Sequence, residues 1–252
     1  MTSSDSSGGG SERSKDERAL REEVTRLVSQ DAMPAADLGR LRAALTQELA
    51  AERGPRAFLR ARPTGLRVLI ACSAVLGVAA VSGFAGLRPD HGIYPPGRMA
   101  AIVLFIAGAV AVELAISLRP LQLPALPRWL PTAAMAVALA GLFVLYALPA
   151  AHLSHPASLH ASAPPMLLAR AVQCLAIGLG FGVPVHALLR ALDRGGADRA
   201  LIAAVCAGLA ANLGLQLHCP ITAPAHMLLG HLGVALLLLA AAASYRRIGR
   251  PR

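Results

Sequence analysis

The sequence predicts an all-α polytopic membrane protein with six transmembrane helices and a short cytoplasmic helical segment before them. Three observations lead to this fold class. The mean hydropathy is +0.55 and 15% of the residues are charged, against roughly 25% in a water-soluble domain. Six apolar runs long enough to span a bilayer follow residue 66. The arginines between these runs fall mostly in alternate connections, which is typical of a chain that crosses a membrane repeatedly.

Residues 1–65 form the predicted cytoplasmic segment. They hold ten of the 14 acidic residues and 11 of the 24 basic ones. The sequence near Met1 is polar and has no apolar core, so a cleavable signal is not expected. Two short amphipathic helices are predicted on either side of Pro34, with Asp37 capping the second. Their apolar stripes are Leu20, Val24, Leu27 and Val28, then Leu38, Leu41, Leu45 and Leu49. Such short helices are marginal in water without a packing partner, so the stripes are expected to pack on a partner protein, on each other or on the membrane surface.

Residues 66–245 form the predicted transmembrane domain, and residues 246–252 a basic cytoplasmic tail. Each apolar run has 18 to 24 residues, enough to cross a hydrocarbon core of roughly 30 Å at about 1.5 Å per residue. The fifth run is the shortest. The predicted spans are Val68–Leu87, Met99–Leu118, Trp129–Leu148, Met166–Leu189, Ala200–Leu217 and Met227–Tyr245.

The arginines also predict the orientation. If residues 1–67 are cytoplasmic, 13 arginines from Arg56 onward lie inside, whereas the outer connections hold only Arg88 and Arg98. The outer connections 149–165 and 218–226 carry no Lys or Arg. The positive-inside rule therefore places both termini in the cytoplasm. A pI near 10.9 would indicate nucleic-acid binding in a soluble protein, but here the arginines flank apolar segments, and no direct nucleic-acid contact is expected.

Seven of the eight histidines are predicted at or near the outer face, with only His186 near the inner one. Imidazole and thiolate are common transition-metal ligands, and the densest group of them is the candidate metal site. The spacing argues against it, because residues 226 and 231 are five apart, about 140° around an α-helix. The alternative is that neutral histidine merely replaces arginine in outer loops. The candidate ligands are His218, Cys219, His226 and His231.

The four cysteines show no CxxC spacing, so neither a zinc ribbon nor a thioredoxin-like motif is indicated. Cys72 and Cys206 lie in apolar runs and are expected to pack as small apolar residues. Cys174 and Cys219 both belong to the outer half, where tertiary packing could bring them together as a redox-responsive pair. The spacing alone leaves that pairing open.

Few other polar groups lie within the predicted spans. Glu113 and Arg170 are intramembrane charges, which by default indicate a functional site, although both are shallow enough to snorkel to the interface. Gly178 and Gly182 form a pair of small residues that permits close helix contact. Three side chains are expected to form interhelical hydrogen bonds: Asn212, Gln216 and Gln173.

The stretch from Ala169 to Pro220 resembles the NrsF-like family of bacterial membrane-embedded anti-sigma factors. These are six-helix proteins that hold an extracytoplasmic-function sigma factor at the inner membrane. Three features carry the resemblance, which spans about residues 166–231: a Cys-Leu pair early in the fourth helix, a short basic inner loop, and a Leu-His-Cys-Pro closing the fifth helix. In this sequence they are Cys174-Leu175 preceded by Arg170, Leu189-Arg190 with Arg194-Gly195-Gly196, and Leu217-His218-Cys219-Pro220 followed by His226 and His231. The layout is also similar to that of the light-responsive membrane anti-sigma factor CarR of carotenoid regulation.

The resemblance implies that the cytoplasmic segment binds a sigma factor through its two apolar stripes, and that Cys174 and Cys219 sense oxidative or metal stress at the outer face. Independently of the resemblance, the predicted spans offer almost nothing for driving catalysis or ion coupling, so no enzymatic activity is expected. The chain departs from the family pattern in its long N-terminal extension and in its third outer segment, which holds His152, His155 and His160. These departures bear on the identity of the stimulus.

Two other functions compete with this interpretation. A small-molecule transporter requires a polar path and an internal repeat of helices, and neither is clear in the sequence. A membrane thiol oxidoreductase that works with a quinone usually has closely spaced reactive cysteines, which this chain lacks. The sequence also has no Walker loop, HExxH motif, Gly-x-Ser-x-Gly motif or series of intramembrane acids.

Overall fold

A computed structural model describes residues 39–40, 43, 54–89, 94–120, 123–124, 126–127, 129–148, 164–194 and 197–248. The chain divides into two units. In the first, Met1–Ala57 with Gly249–Arg252, the described residues before Gly54 are helical and exposed. All eight residues of the two predicted apolar stripes, and the end of the predicted tail beyond Ile248, lie outside the described residues. The second unit, Phe58–Ile248, holds six long apolar helices.

These six helices confirm the all-α polytopic fold. Each is long and apolar enough to cross a membrane, and the described residues contain no strand. A short helix, α1, precedes them. The bounds are α1 Pro55–Ala61, α2 Thr64–Phe84, α3 Pro96–Ser117, α4 Trp129–Ala147, α5 Pro164–Leu192, α6 Ala197–His218, and α7, which joins Pro224–His226, Met227–Leu232 and Gly233–Ile248.

The helix ends differ from the predicted spans by a few residues. Proline stands at the first position of α3 and at the start of α7, where its fixed φ suits a helix and its missing N–H costs nothing. The first span was expected to begin at residue 68, but α2 begins at Thr64 and includes Arg67. The fifth was expected over 200–217, but α6 begins at Ala197 and includes Arg199. Both arginines remain helical although they lower the local hydropathy.

Helix α6 lies at the centre of the bundle. About 83% of its apolar window is buried, a far larger share than in any other span, and it contacts α2, α3, α5 and α7. Small side chains allow α6 to occupy the centre, because they let the backbones of the surrounding helices approach it closely. The fully buried small residues of α6 include Ala203, Ala204, Ala207, Ala210 and Ala211.

The predicted close contact at Gly178 and Gly182 is confirmed. A Cβ on Gly178 would lie 2.5 Å from Val234, and one on Gly182 would lie 2.8 Å from Leu238. Both neighbours belong to the last segment of α7. The two glycines therefore let α5 pack directly on α7.

Arginines tie the helix ends together at the end of the bundle that holds Thr64, Ser117 and Leu192. The buried Arg67 guanidinium donates hydrogen bonds to the Leu192 carbonyl at 2.9 Å and to the Thr64 hydroxyl at 3.0 Å. Arg199 donates to the Ser117 carbonyl at 3.2 Å. Carbonyls at helix C-termini lack partners within their own helix, so the arginines that predict the orientation also stabilise the bundle.

Candidate thiol and metal site

Four potential metal ligands converge at the other end of the bundle. Cys174 lies on α5, Cys219 lies in the loop between α6 and α7, and His226 and His231 lie on α7. One ligand atom from each side chain lies within 4.8 Å of those from the other three. This group, the Cys/His cluster, could hold a metal ion. It is the one group of this kind within the described part of the chain.

The atoms of the cluster are in direct contact. The Cys174 thiol donates to the Cys219 sulfur across 3.6 Å, and the Cys219 sulfur lies 3.2 Å from Nε2 of His226. The imidazole rings of His226 and His231 meet edge to face at 5.5 Å between centroids. Cys174 is half-buried, whereas the other three residues are buried. Both cysteines are free thiols.

A π-helical turn aligns the two histidines. Residues Met227–Leu232 form this turn, and the Gly233 N–H donates to the Leu228 carbonyl five residues before it. In a π-turn, residues five apart are neighbours on one face, unlike in an α-helix. The spacing that argued against a shared site for His226 and His231 is therefore the spacing that this local structure requires. Such turns are frequent at functional sites.

Gly230, inside this turn, lets α5 approach the cluster. A Cβ there would lie 2.9 Å from the Ala171 carbonyl oxygen and 3.3 Å from Cβ of Cys174. The first distance is shorter than real Cβ contacts, and the clashing atom belongs to the backbone, which cannot move away as a flexible side chain can. The absence of a side chain at residue 230 therefore brings Cys174 within reach of the loop and of α7.

Hydrogen bonds from α4 and α6 hold His231. The Asn212 amide donates to the His231 carbonyl at 3.1 Å and to the Gly208 carbonyl at 2.7 Å. The Tyr146 hydroxyl donates to Oδ1 of Asn212 at 3.1 Å, and its ring meets the His231 ring edge-on at 5.8 Å. The interhelical hydrogen bond predicted for Asn212 is thus present. The sequence analysis did not identify Tyr146. Its only sequence signal is its position, since it is an aromatic residue with a hydroxyl group near the end of an apolar run.

The other two predicted interhelical groups differ from Asn212. Nε2 of Gln216 lies 3.9 Å from the sulfur of Met99 on α3, so this contact joins two helices but is weak. The Gln173 side chain instead accepts a hydrogen bond at 3.0 Å from Arg170 on its own helix. Arg170 is exposed, as expected of a residue that snorkels.

An open cavity gives access to both thiols. Its volume is about 280 Å³, large enough for an ion or a small oxidant, and Arg170 and His218 stand among its lining residues. Its full lining is Met166, Arg170, Gln173, Cys174, Ile177, His218, Cys219, Pro220 and Ile221. The cluster is therefore buried but not sealed.

The segment after α2 holds the loop that carries Cys219. The Arg88 backbone N–H donates to the Leu217 carbonyl at 3.0 Å. His218 contacts the same segment through Nδ1, which lies 2.8 Å from the Gly86 carbonyl oxygen. The structure therefore groups Cys174, rather than the predicted His218, with Cys219 and the two α7 histidines. The reason is that His218 ends α6 with its ring turned toward the segment after α2.

The surroundings of Cys219 favour its thiolate. The hydrogen bond from Cys174 lowers the pKa of the Cys219 thiol, and the contacts with the His226 and His231 imidazoles lower it further, whereas burial acts in the opposite direction. A hydrogen bond to the charged form of a group favours that form. Because the thiolate is the nucleophile and the metal ligand, we expect Cys219 to be the more reactive of the two sulfurs.

The remaining candidate residues lie away from the cluster. Cys206 lies in the core and Cys72 packs against it, as predicted. The expectation that Glu113 snorkels is wrong: its side chain is 1% exposed, because it faces the interior of the bundle, and its carboxyl oxygens have no hydrogen-bond partner within the described ranges. Four predicted outer-face histidines lie outside the described residues, namely His91, His152, His155 and His160.

Comparison with protein-family models, curated proteins and solved structures finds no match to this chain. The resemblance to the NrsF-like anti-sigma factors therefore stays a prediction. Any functional conclusion depends on the geometry of the chain itself.

Proposed function

We propose that this chain is a membrane-embedded anti-sigma factor of the bacterial inner membrane. In this proposal it sequesters an extracytoplasmic-function sigma factor and releases it when an oxidant or a transition-metal ion reaches the outer face. The observation that carries the proposal is the Cys174–Cys219 contact of 3.6 Å beside two buried imidazoles. Two of the sequence features that carry the family resemblance meet at this contact, although 45 residues separate the two cysteines.

The arginine distribution supports the orientation that the proposal requires. The end of the bundle remote from the cluster is rich in arginine, and Arg67, Arg194 and Arg199 there all bond backbone carbonyls. By the positive-inside rule this end is cytoplasmic. The cluster then faces the envelope, an oxidising compartment in which disulfides form.

The cytoplasmic segment is the proposed sigma-binding region. Its two apolar stripes, at Leu20–Val28 and Leu38–Leu49, need a packing partner, and a sigma factor would supply one. A helix pair laid on the polymerase-binding surface of the sigma factor would keep it inactive. The lipid bilayer would hold the complex at the membrane.

Helix α5 is the proposed connection between the two ends. Its 29 residues span about 43 Å at 1.5 Å per residue, with Cys174 in its first half and Arg194 just after its last residue. The Arg194 guanidinium donates to the carbonyls of Arg60 and Arg62, the latter at 3.0 Å. Residues 60 and 62 lie where the chain enters α2 from its cytoplasmic segment. A shift of α5 would therefore displace residues 60 and 62, to which the proposed sigma-binding region is connected.

Signal-dependent release needs a difference in sigma affinity between two states of the chain, because a signal can shift an equilibrium only through differential affinity. A release of about 100-fold requires about 2.7 kcal/mol of coupling, within the usual range for allostery. Forming a disulfide would draw the two sulfurs from 3.6 Å to about 2.05 Å. This approach is the proposed trigger that moves α5 against the loop after α6.

The test uses the full-length chain in lipid nanodiscs and a purified extracytoplasmic-function sigma factor from the same genome. Under reducing conditions the chain should bind the sigma factor and inhibit transcription from its promoter. Leu27→Glu and Leu45→Glu each place a charge in one apolar stripe and should abolish binding. Ser29→Glu and Gln47→Glu are the matched controls, because they add the same charge on the opposite side of each predicted helix, and they should bind normally.

Failure of the wild-type chain to bind any such sigma factor would contradict the proposal. Substrate flux in proteoliposomes, or quinone reduction by the two thiols, would instead favour a transporter or a thiol oxidoreductase.

A further inference from the structure

The Cys/His cluster has the ligand set of a closed structural metal site. We propose that Cys174, Cys219, His226 and His231 bind one zinc ion in a tetrahedral Cys2His2 site, and that zinc and a Cys174–Cys219 disulfide exclude each other. The metal binding is independent of the anti-sigma proposal. Only its consequence for sigma release rests on that proposed function.

The distances fit a tetrahedral ion. With Zn–S near 2.3 Å and Zn–N near 2.0–2.1 Å, tetrahedral geometry separates two sulfurs by about 3.8 Å and a sulfur from a nitrogen by about 3.5 Å. The two sulfurs lie 3.6 Å apart, and the Cys219 sulfur lies 3.2 Å from Nε2 of His226. All four ligand atoms lie within 4.8 Å of one another. Closing the site around an ion therefore needs only small side-chain movements.

The imidazoles have nitrogen atoms that need a partner. Both histidines are at least 99% buried, and neither Nδ1 of His226 nor either ring nitrogen of His231 has a hydrogen-bond partner among the described residues. Buried polar atoms without partners are rare and call for an explanation such as an ion. A metal ion bound through one nitrogen of each ring supplies that explanation at the point where the two thiols also converge.

The protein around the cluster fixes the positions of its ligands. The π-turn puts both histidines on one face of α7, Asn212 holds the His231 carbonyl, and the missing side chain of Gly230 admits Cys174. Such supporting contacts orient the ligands of metal sites. The ligands are therefore largely in place before an ion binds.

The ligand types favour zinc over other cations. Two thiolates and two imidazoles in a compact set are typical of tetrahedral zinc sites, whereas magnesium, calcium and manganese favour carboxylates and carbonyl oxygens. The cluster contains no carboxylate. Four protein ligands leave no open position for substrate, which indicates a structural ion rather than a catalytic one.

Oxidation would release the ion. The two zinc-bound thiolates give two electrons to hydrogen peroxide and form the S–S bond, and the peroxide takes these electrons and two protons to give two water molecules. The disulfide retains no thiolate, so zinc loses two of its four ligands and leaves through the cavity lined by Arg170 and His218.

The binding test uses the full-length chain in nanodiscs, reduced and treated with a chelator. Titration with Co²⁺ should give the intense d–d bands of a tetrahedral site and a sulfur-to-cobalt charge-transfer band. One Zn²⁺ per chain should then displace the cobalt. Four variants should each weaken zinc binding by at least about 100-fold: Cys174→Ser, Cys219→Ser, His226→Gln and His231→Gln. The matched controls, which should bind as the wild type does, are His186→Gln and Cys206→Ser.

Zinc well below one equivalent per chain, an octahedral cobalt spectrum, or normal binding by the four ligand variants would each overturn the site. A second measurement does not depend on the folding of any variant: hydrogen peroxide added to the zinc-loaded wild type should release one zinc ion for each pair of thiols lost. Zinc that stays bound after the disulfide has formed would overturn the exclusion. Zinc binding without sigma binding would leave the site standing and refute the proposed function alone.

Discussion

Two groups within 4 Å of the Cys219 sulfur favour its thiolate. The Cys174 thiol donates to that sulfur at 3.6 Å, and Nε2 of His226 lies 3.2 Å away. Each contact favours the thiolate. The two cysteines therefore differ in their surroundings: the contacts around Cys219 favour its thiolate, whereas Cys174 is half-buried and lines the open cavity.

The lowered pKa of Cys219 predicts an unusual pH dependence of alkylation in the reduced, chelator-treated chain. A thiol with a lowered pKa is already a thiolate at low pH, so its rate should change little between about pH 6.5 and 8.5. An ordinary thiol, with a pKa near 8.5, should react many times faster at about pH 8.5 than at about pH 6.5. The measurement is iodoacetamide labelling of the Cys219 peptide by mass spectrometry, with glutathione as the reference.

His226→Gln is the matched variant for this experiment. It should restore part of the ordinary pH dependence, because one contact that favours the Cys219 thiolate is lost. A wild-type rate that climbs about tenfold per pH unit would refute the assignment of a stabilised thiolate.

Glu113 poses a separate question at the residue scale. Its carboxyl is buried without a hydrogen-bond partner among the described residues, and such burial costs about 1–3 kcal/mol. Glu113→Met, which is similar in volume, should therefore raise the free energy of unfolding by an amount of that order. Thermal unfolding in detergent measures it, with Glu113→Gln as a polar control that should gain less. A destabilised Glu113→Met variant would indicate that the carboxyl has a partner or a function.

The π-turn of α7 is the element that assembles the cluster. It lies between two α-helical segments, Pro224–His226 and Gly233–Ile248, and it brings two histidines five residues apart to the same face. The backbone at Gly230 lies close to that of α5. The turn therefore aligns two ligands and admits a third.

Gly230→Ala tests this role. The added Cβ would meet the Ala171 backbone at 2.9 Å, and overpacking of this kind costs about 1–3 kcal/mol. Separation of α5 from α7 should slow formation of the Cys174–Cys219 disulfide by about tenfold or more. The rate is followed by the loss of free thiols under a fixed glutathione redox buffer.

Gly180→Ala is the control on the same helix as Cys174, because its Cβ would meet nothing within 4 Å. It should form the disulfide at the wild-type rate. Equal rates for Gly230→Ala and the wild type would mean that close packing at residue 230 does not position Cys174.

Hydropathy and arginine placement predicted the six spans, because burial in lipid requires long uncharged helices. The same signals misplaced the starts of α2 and α6, since Arg67 and Arg199 are helical but charged. They also could not predict the cluster. The five-residue spacing of His226 and His231 is unfavourable in an α-helix, and a π-turn depends on tertiary contacts such as that of Asn212 with the His231 carbonyl.

At the scale of the whole transmembrane unit, the two ends of the helix bundle carry different side chains, and α5 runs from one end to the other. One holds the Cys/His cluster, and the other holds arginines that bond the carbonyls at helix ends. The sequence predicted the character of both ends but not the central place of α6. Hydropathy does not encode which helices are neighbours, and only the many small residues of α6 hint at its position.

Arg194 tests the proposed connection between the two ends. Arg194→Gln removes a charged donor to the Arg60 and Arg62 carbonyls but leaves both the cluster and the proposed sigma-binding segment unchanged. The variant should bind the sigma factor normally when reduced, and its release on oxidation should fall from about 100-fold to about tenfold or less. The quantity measured is the ratio of sigma affinities in the two redox states.

Arg190→Gln is the matched control, because it removes a charge at the same end of α5 from a side chain that pairs with Asp193 at 3.0 Å. It should keep the full release. Equal losses in both variants would indicate a general effect of positive charge instead of a specific contact through Arg194.

The decisive measurement is the affinity of the full-length chain for the proposed sigma factor before and after the Cys174–Cys219 disulfide forms. The chain is held in nanodiscs, and mass spectrometry verifies the disulfide. We expect the dissociation constant to rise by about 100-fold on oxidation and to stay constant in Cys174→Ser and Cys219→Ser. An unchanged dissociation constant in a chain with a verified disulfide would contradict signalling through the two thiols.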